Sequence, residues 1–214
     1  MTLLPLLIPC LSLAPDFQQD YVSINSAAYS PRALVVADLN GDGLTDIVVG
    51  SRDDGRLLWF PRLGAGEFGA AREISRDTNG SHTILVRDFD ADGDMDIACS
   101  SEWRDQVTFH ENNGSGDFLP LRVLAYPLPQ AAAMDAVDMD GDGDLDLVVA
   151  VSGNDSVGWI PNLGAAQFGA NQTIAGGLAN VRAMAAGDVN GDGHADVVTG
   201  SAGSEEIQLL LATG

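Results

Sequence analysis

Asp38-Leu39-Asn40-Gly41-Asp42-Gly43-Leu44-Thr45-Asp46 is a nine-residue stretch that returns three more times along this 214-residue chain. The later copies are DFDADGDMD at 88–96, DMDGDGDLD at 138–146 and DVNGDGHAD at 188–196. The first Asp of each copy lies 50 residues from the first Asp of the next, without any insertion. A fixed period of this length is typical of solenoids, propellers and other repeat architectures.

The shared pattern, D-x-[DN]-x-D-G-x-x-D, places oxygen-bearing side chains at positions 1, 3, 5 and 9 and a glycine at position 6. Calcium takes about six to eight oxygen ligands, and glycine permits the sharp turn that gathers alternate carboxylates around one point. Position 7 varies in residue type, which suits a ligand that offers its backbone carbonyl. We therefore expect about four Ca²⁺ sites, with these ligands: Asp38, Asn40, Asp42, Leu44 and Asp46; Asp88, Asp90, Asp92, Asp94 and Asp96; Asp138, Asp140, Asp142, Asp144 and Asp146; Asp188, Asn190, Asp192, His194 and Asp196.

Two other interpretations of the loop compete with this one. An EF-hand loop needs a Glu at position 12 and helices on both sides, whereas position 12 here is Val49 in the first copy, and the flanks 34–37 and 47–50 are short and β-rich. A solvated Asp-Gly hairpin turn is the second alternative. Four copies in register count against it, because so many carboxylates repel one another without a cation. The sequence favours a calcium loop between two strands.

The composition agrees with metal loops and excludes nucleic acid as a partner. The formal net charge is −21, and sixteen of the 31 acidic residues lie in the four loops. Nucleic-acid binding requires a basic face, and this chain contains no Lys. Its two cysteines, Cys10 and Cys99, do not suggest a disulfide framework. Cys99 stands where the first repeat has Val49, so we expect a small buried side chain.

Each complete repeat contains four short strand-like segments, which in the first copy are 33–37, 46–51, 56–60 and 72–76. Four antiparallel strands per 50 residues predict an all-β fold, a β-propeller whose blades are the four 50-residue repeats. Aromatic residues keep the same register, and we expect them to pack between neighbouring sheets: Trp59, Phe109 and Trp159 on the third strand, and Phe68, Phe118 and Phe168 in the turn that follows it.

The loop between two strands, with Phe68-Gly69 and Phe168-Gly169 after Gly-rich turns, resembles the FG-GAP and VCBS repeats of integrin α-subunit propellers and of many secreted bacterial proteins. The resemblance covers residues 17–214, although Phe118-Leu119 departs from the Phe-Gly dipeptide. It implies calcium-stabilised propeller blades, usually about seven or eight in a ring.

The two ends of the chain leave alternatives open. Residues 1–15 are apolar and too short to span a bilayer. They are either a secretory signal peptide or a degenerate repeat strand, because Ile8-Pro9-Cys10-Leu11 resembles Ile160-Pro161-Asn162-Leu163. We expect residues 16–214 to form a single propeller domain.

The number of blades in the ring depends on how the last repeat is completed. The fourth repeat stops after its third strand, and Tyr21–Asn25 has the pattern of a fourth strand. Joining the two would close a ring of four blades, which is the expected arrangement. The alternative is half of a larger seven- or eight-bladed propeller, for example a dimer that shares eight blades, so both a monomer and a dimer are possible.

The face opposite the calcium loops is where the repeat pattern breaks. Arg32, His82 and Arg182 begin the first strand of their repeats, and Glu102-Trp103-Arg104 occupies one turn on the same face. Three basic groups on an acidic protein suit an anion or a sugar acid, and an exposed Trp suits sugar stacking. The alternative is scattered surface polarity.

No motif of a hydrolase, zinc enzyme or phosphate loop is present, and no catalytic residue is assigned. We expect a secreted or cell-surface calcium-binding module for adhesion to a glycan or protein, in which calcium is structural. Extracellular calcium, at about millimolar concentration, would fill such sites. The alternatives are a polysaccharide-active lyase or hydrolase that uses His82 with Arg32 and Arg182, and a structural repeat fragment of a longer secreted protein.

Overall fold

The computed structural model describes Ile24 and residues 28–213. The N-terminal segment 1–15, with its two interpretations, lies outside the described residues. The described chain is all-β apart from one 3-10 turn at Ser152–Asn154. Its strands are β1 (Pro31–Ala37), β2 (Asp46–Ser51), β3 (Leu57–Phe60), β4 (Arg62–Gly64), β5 (Glu67–Phe68), β6 (Arg72–Ser75), β7 (Ser81–Arg87), β8 (Asp96–Ser101), β9 (Gln106–His110), β10 (Arg122–Ala125), β11 (Ala131–Val137), β12 (Asp146–Val151), β13 (Ser156–Ile160), β14 (Gln172–Gly176), β15 (Val181–Gly187), β16 (Asp196–Ser201) and β17 (Glu206–Leu210).

Each 50-residue repeat forms one antiparallel sheet, which we call a blade. Blades 1, 2 and 3 have four strands, in the orders β1-β2-β3-β6, β7-β8-β9-β10 and β11-β12-β13-β14, and blade 4 has the three strands β15-β16-β17. The small pair β4-β5 lies in the third turn of blade 1. The register repeats as well, because Ala37 pairs with Asp46 and Gly187 with Asp196 across the equivalent loops. The expected propeller blades are therefore confirmed.

The blades pack side by side through their first strands, with β1 against β7, β7 against β11 and β11 against β15. Between blades 1 and 2, the buried core contains Trp59 and Cys99. Between blades 2 and 3, the rings of Phe89, Phe109 and Phe168 lie with centroids 5.3 to 5.9 Å apart. The prediction that the aromatic residues pack between sheets is confirmed for Trp59, Phe109, Phe118 and Phe168. Phe68 instead packs against residues of its own blade. Burial raises the pKa of the Cys99 thiol to about 12, so Cys99 acts as a small apolar side chain.

Each outer face of the set of blades carries exposed apolar side chains, although Val49 and Phe60 on the outer face of blade 1 are buried. Leu34 in blade 1 is 65% exposed, while the equivalent Ile84 in blade 2 is 7% exposed. At the other end Ile207 is 84% exposed, while the equivalent Leu57 is fully buried. Over residues 28–213 the blades thus form an open fan, which matches the alternative of half a larger propeller. The strand expected at Tyr21–Asn25, apart from Ile24, lies outside the described residues, so closure of a four-bladed ring by this strand stays a prediction.

Candidate functional site

The four nine-residue loops join the first and second strands of each blade and share one hydrogen-bond pattern. The Asp at position 1 accepts the N–H of the glycine at position 6, and this glycine has a φ between 79° and 98°, a left-handed conformation that favours glycine. The N–H to Oδ2 distances are 2.7 Å for Gly43 to Asp38, 3.1 Å for Gly93 to Asp88, 3.0 Å for Gly143 to Asp138 and 2.9 Å for Gly193 to Asp188.

Carboxylates converge in the loops of blades 2 and 3. Asp88, Asp90 and Asp96 each bring one oxygen to within 4.8 Å of the others, and the second set consists of Asp138, Asp140 and Asp146. These residues occupy positions 1, 3 and 9 of the predicted ligand pattern, so the structure brings together three of the five predicted ligands in each of these two loops.

The remaining predicted ligands lie in the same turns but have other contacts. At position 5, the carboxylate oxygen of Asp92 accepts the N–H of Asp94, the residue at position 7, at 2.9 Å. In the loop of blade 1, the side-chain N–H of Asn40 donates to Asp42 Oδ2 at 3.0 Å, and Asn190 does the same to Asp192 in blade 4 at 2.9 Å. Asparagine at position 3 therefore gives these two loops fewer carboxylates than the loops of blades 2 and 3.

Backbone N–H groups compensate only part of the charge of the converging carboxylates. Burial raises the pKa of Asp96 to about 7, and the charges of Asp90 and Asp92 add to this, although two backbone N–H groups oppose it. Burial likewise raises the pKa of Asp146. The pKa of Asp90 is raised by burial and by the charge of Asp92. A bound cation removes this kind of repulsion.

The donor atoms of the loops fit a calcium ion. The Oδ1 atoms of Asp38 and Asp88 are buried and have no hydrogen-bond partner among the described residues, and a buried carboxylate oxygen without a partner is costly unless a cation binds it. Each of the loops offers oxygen atoms, which hard cations such as Ca²⁺ prefer to soft-metal ligands such as sulfur. The residues present at the loops are thus compatible with the calcium that the sequence predicts.

Asn112 and Asn162 are buried residues that the sequence analysis missed. The side-chain N–H of Asn112, in blade 2, donates to the backbone oxygen of Leu39 in the loop of blade 1 at 2.8 Å. Asn162 makes the equivalent bond from blade 3 to Phe89 in the loop of blade 2, also at 2.8 Å. Both asparagines follow position 9 of their loop by 16 residues, so the repeat alignment carried a signal. These bonds fasten the loops of blades 1 and 2 to the blade that follows each of them.

On the opposite face, side chains from three blades meet at Glu102. Its Oε2 accepts a hydrogen bond from Arg32 Nη1 at 3.0 Å, and its Oε1 accepts one from Arg182 Nη1 at 3.0 Å. Arg182 also donates to Gln130 Oε1 at 3.3 Å. In blade 3 the position equivalent to Arg32, His82 and Arg182 is Ala132, which is buried. We refer to Arg32, His82, Glu102 and Arg182 as the arginine cluster.

The pKa values of both His82 and Glu102 are lowered, which favours a neutral imidazole and a charged carboxylate. Burial lowers the pKa of His82, and the positive charges of Arg32 and Arg182 lower it further against the opposing effect of Glu102, so the imidazole is neutral at neutral pH. For Glu102, burial alone would raise the pKa, but the hydrogen bond from Arg182 and the nearby positive charges outweigh it and lower the pKa. The predicted convergence of basic groups is thus present, with a carboxylate at its centre.

Trp103 and Arg104 lie on the same turn as Glu102 but point to other partners. The guanidinium of Arg52 stacks over the half-exposed Trp103 ring, 4.7 Å from its centroid. Arg104 pairs with Asp77 at 2.7 Å. One face of the tryptophan is therefore covered by Arg52, and neither residue contributes to the hydrogen bonds within the cluster.

Both the sequence and the fold of this chain are similar to those of known repeat proteins. The FG-GAP-like repeat profile matches three overlapping segments, residues 38–99, 88–149 and 138–199. A search among curated proteins finds no similar sequence. Of the solved structures, an Agrocybe aegerita lectin described as recognising non-reducing terminal N-acetylglucosamine is 20% identical with a TM-score of 0.59, over 86% of this chain and 52% of the lectin chain.

A second similar structure is BBS1N, solved in complex with ARL6DN. It is 15% identical with a TM-score of 0.55, over 87% of this chain and 58% of its own. At these identities the likeness shows the propeller-like fold, and the chain spans a little over half the length of both proteins. Since the repeat profile covers most of the sequence, as the loop motif led us to expect, this chain belongs to the FG-GAP-like repeat family.

Proposed function

We propose that this chain is a calcium-stabilised propeller module that acts outside the cell and binds an acidic glycan on the face opposite its metal loops. An FG-GAP-like repeat propeller supports a binding module in general. The observation that carries the proposal is the arginine cluster, in which Glu102 holds guanidinium groups from blades 1 and 4 side by side.

The charge of the cluster favours an anionic ligand. Two guanidinium groups face one carboxylate and a neutral imidazole, which leaves a local excess of positive charge on a chain whose net charge is −21. A guanidinium has five N–H donors in a planar fork that matches a carboxylate, and Glu102 takes one donor from each arginine. Both arginine side chains are partly exposed, so a ligand carboxylate can reach them.

Calcium has a structural role in this proposal. The ion would be held by the Asp residues at positions 1, 3 and 9 of each loop, with Asn at position 3 in blades 1 and 4, and it would neutralise their mutual repulsion. Binding of a cation to the folded loops then stabilises the fold through mass action. Weak sites of this type fill at the calcium concentration found outside cells, about millimolar, which supports the proposed location.

The similar structures give precedents for both classes of partner. The Agrocybe aegerita protein is a lectin for N-acetylglucosamine, a glycan, and BBS1N was solved with a protein partner. Among these two classes, the paired arginines favour an acidic sugar such as a uronate for this chain, because arginine forks recognise carboxylates.

Isothermal titration of the chain in millimolar calcium tests the proposal, with oligogalacturonate as the acidic probe and chitobiose as the neutral one. We expect binding of oligogalacturonate alone, weakened by added salt, and a loss of at least about tenfold in affinity in an Arg32→Gln/Arg182→Gln variant. Arg52→Gln/Arg104→Gln is the matched control, because it also removes two positive charges from the same face, outside the cluster. Equal binding of both probes, or an equal loss in the control, would contradict the proposal.

The neutral His82 supports a second candidate, a uronate lyase. A neutral imidazole beside two arginines can act as a general base. It would take the proton α to the uronate carboxylate, the bond from the β carbon to the glycosidic oxygen would break to form a carbon–carbon double bond, and the leaving oxygen would take up a proton from water. Ultraviolet absorbance of an unsaturated product during incubation with oligogalacturonate distinguishes the two functions. Product that is lost in His82→Gln without loss of binding would favour the lyase, and binding without product favours the module.

A further inference from the structure

The two ends of the fan carry apolar grooves. The trailing face, on the outer side of blade 4, has a groove of about 290 Å³ lined by Ala183, Ala185, Val198, Gly200 and Ile207. The leading face, on the outer side of blade 1, has a groove of about 210 Å³, in which Leu34 is exposed while Val49 and Phe60 are buried. The other residues that line it are Ile24, Ala28, Pro31 and Ile47. Exposed apolar surfaces of this kind mark interaction sites.

The junction between blades 1 and 2 shows how such faces meet within the chain. Leu57 and Gly50 lie on the side of blade 1 that faces blade 2, and Ile84 of blade 2 packs against them. A Cβ added to Gly50 would lie only 3.0 Å from Ile84 Cδ1 and 2.7 Å from Ser81 Cβ. The absence of a side chain at residue 50 therefore makes room for the neighbouring blade.

The trailing face of blade 4 has the residues equivalent to Gly50 and Leu57, and within the described residues no blade covers them. Gly200 is the equivalent of Gly50, and Ile207 is the equivalent of Leu57, each 150 residues further along. A Cβ added to Gly200 would meet only Ala183 Cβ, at 3.5 Å. The leading face carries the residues equivalent to those that lie over Gly50, because Leu34 is the equivalent of Ile84 and Pro31 is the equivalent of Ser81. Both Leu34 and Ile207 are exposed in the single chain.

We propose that the occupant of each end face is a second copy of this chain, with Leu34 of one copy seated over Gly200 of the other. A second copy presents the leading face in the same register that blades 2 to 4 use within the chain, so the contact repeats a junction formed three times inside the molecule. Two such head-to-tail contacts related by a twofold axis close a ring of eight blades.

The size of the fan agrees with a shared ring. This chain covers 52% and 58% of the two propeller-like structures that it resembles, so a ring of that size has room for a second set of four blades. A closed ring also covers the exposed side chains of Leu34 and Ile207 on the two end faces, and this burial drives association.

Light scattering of the full chain in millimolar calcium, over a dilution series through the micromolar range, tests the proposal. We expect a mass of twice 22.3 kDa. Gly200→Val should give the single-chain mass with an unchanged circular dichroism spectrum. The single chain has room for the valine side chain at residue 200, whereas the proposed contact with Leu34 of a second copy does not. Gly176→Val is the matched control: it lies on a strand with nothing within 4 Å of the added Cβ, and it should keep the double mass.

A mixing experiment tests the head-to-tail geometry. Leu34→Asp, at a site that is exposed in the single chain, should also give the single-chain mass. A mixture of Gly200→Val and Leu34→Asp has one intact trailing face and one intact leading face, so it should recover dimers at higher concentration than the wild type needs. A wild-type chain of single mass at about 50 µM, a series of larger open-ended oligomers, or no recovery on mixing would overturn the proposal.

Discussion

The two faces of the fan differ in how faithfully they repeat. On the face of the metal loops, every blade has the same glycine turn and the same buried Asp at position 9, which accepts an N–H from the turn after its third strand, as Asp46, Asp96, Asp146 and Asp196 do at 2.6 to 2.9 Å. On the opposite face, the position that begins the first strand is Arg32, His82, Ala132 or Arg182, and Glu102 occurs in blade 2 only.

This difference separates what holds the blades together from what can distinguish one ligand from another. A feature needed by each blade recurs in all repeats, whereas a ligand that binds near the centre of a ring meets each blade at a different place and requires different residues from each. We therefore expect substitutions on the loop face to change stability strongly, and substitutions in the arginine cluster to change stability little and binding strongly.

The largest effect of a substitution is expected at the buried Asp of a loop. Asp96→Ala leaves the N–H groups of Phe89 and Asn112 without their acceptor inside the protein. At about 1–3 kcal/mol for each unsatisfied buried donor, the free energy of unfolding should fall by about 2–6 kcal/mol. Urea denaturation in millimolar calcium measures it. A loss of unfolding free energy no larger than that of Glu102→Ala would contradict the expected difference in stability between the two faces.

The bond between a loop and the next blade should have the second largest effect. Asn162→Ala removes the side-chain bonds to the backbone oxygens of Phe89 and Leu145, and we expect a loss of about 2–4 kcal/mol in the free energy of unfolding. The equivalent residue in blade 4 is Ala212. The reverse change, Ala212→Asn, should add the missing bond and stabilise the chain by about 1 kcal/mol. If both changes proved neutral in urea denaturation, these asparagines would not fasten the blades.

The arginine cluster should contribute little to stability. Glu102→Ala breaks two ion pairs whose arginines are partly exposed, and solvent screening limits the loss to about 1 kcal/mol or less. The same variant should alter the affinity for oligogalacturonate in isothermal titration, because the two guanidinium groups lose the carboxylate that positions them. A loss of stability as large as that of Asp96→Ala would show that the cluster is structural.

The smallest effect is the pH dependence due to His82. Its pKa in the folded chain is lowered from an ordinary value of 6.5, so the unfolded chain binds a proton at a higher pH than the folded chain does. Stability due to this residue should therefore be constant above pH 6.5 and should fall as the pH drops from 6.5 to the lowered pKa. Thermal unfolding of wild type and His82→Gln across this range measures the difference in stability, which should stop changing with pH above pH 6.5. A wild type that gains stability relative to His82→Gln on acidification would contradict the lowered pKa.

Much of the loop face could be predicted from the sequence because its determinants are local. The nine-residue loop contains its own glycine, its carboxylates and the start of the next strand, and the predicted strand 46–51 agrees with β2. The contacts of Asn112 could not be predicted in this way, because its partner Leu39 lies 73 residues away in another blade. The alignment shows an Asn in two of four repeats but does not show what it reaches.

The arginine cluster was predictable in part. The common register of Arg32, His82 and Arg182 indicated that these residues approach one another, since the first strands of all blades lie together at the inside of a propeller. The central position of Glu102, and the separate pairing of Trp103 with Arg52, depend on the angles between blades, which the sequence pattern does not define. The same angles decide whether four blades close a ring or leave the two open end faces.

Thermal unfolding of the chain in millimolar calcium and in excess EGTA tests most directly whether the loops are calcium sites that hold the blades together. We predict a large drop in the unfolding midpoint when EGTA is added, together with about four Ca²⁺ bound per chain by direct titration, because each loop concentrates carboxylates that repel one another without a cation. An unchanged midpoint in EGTA would contradict the assignment of the loops as stabilising calcium sites.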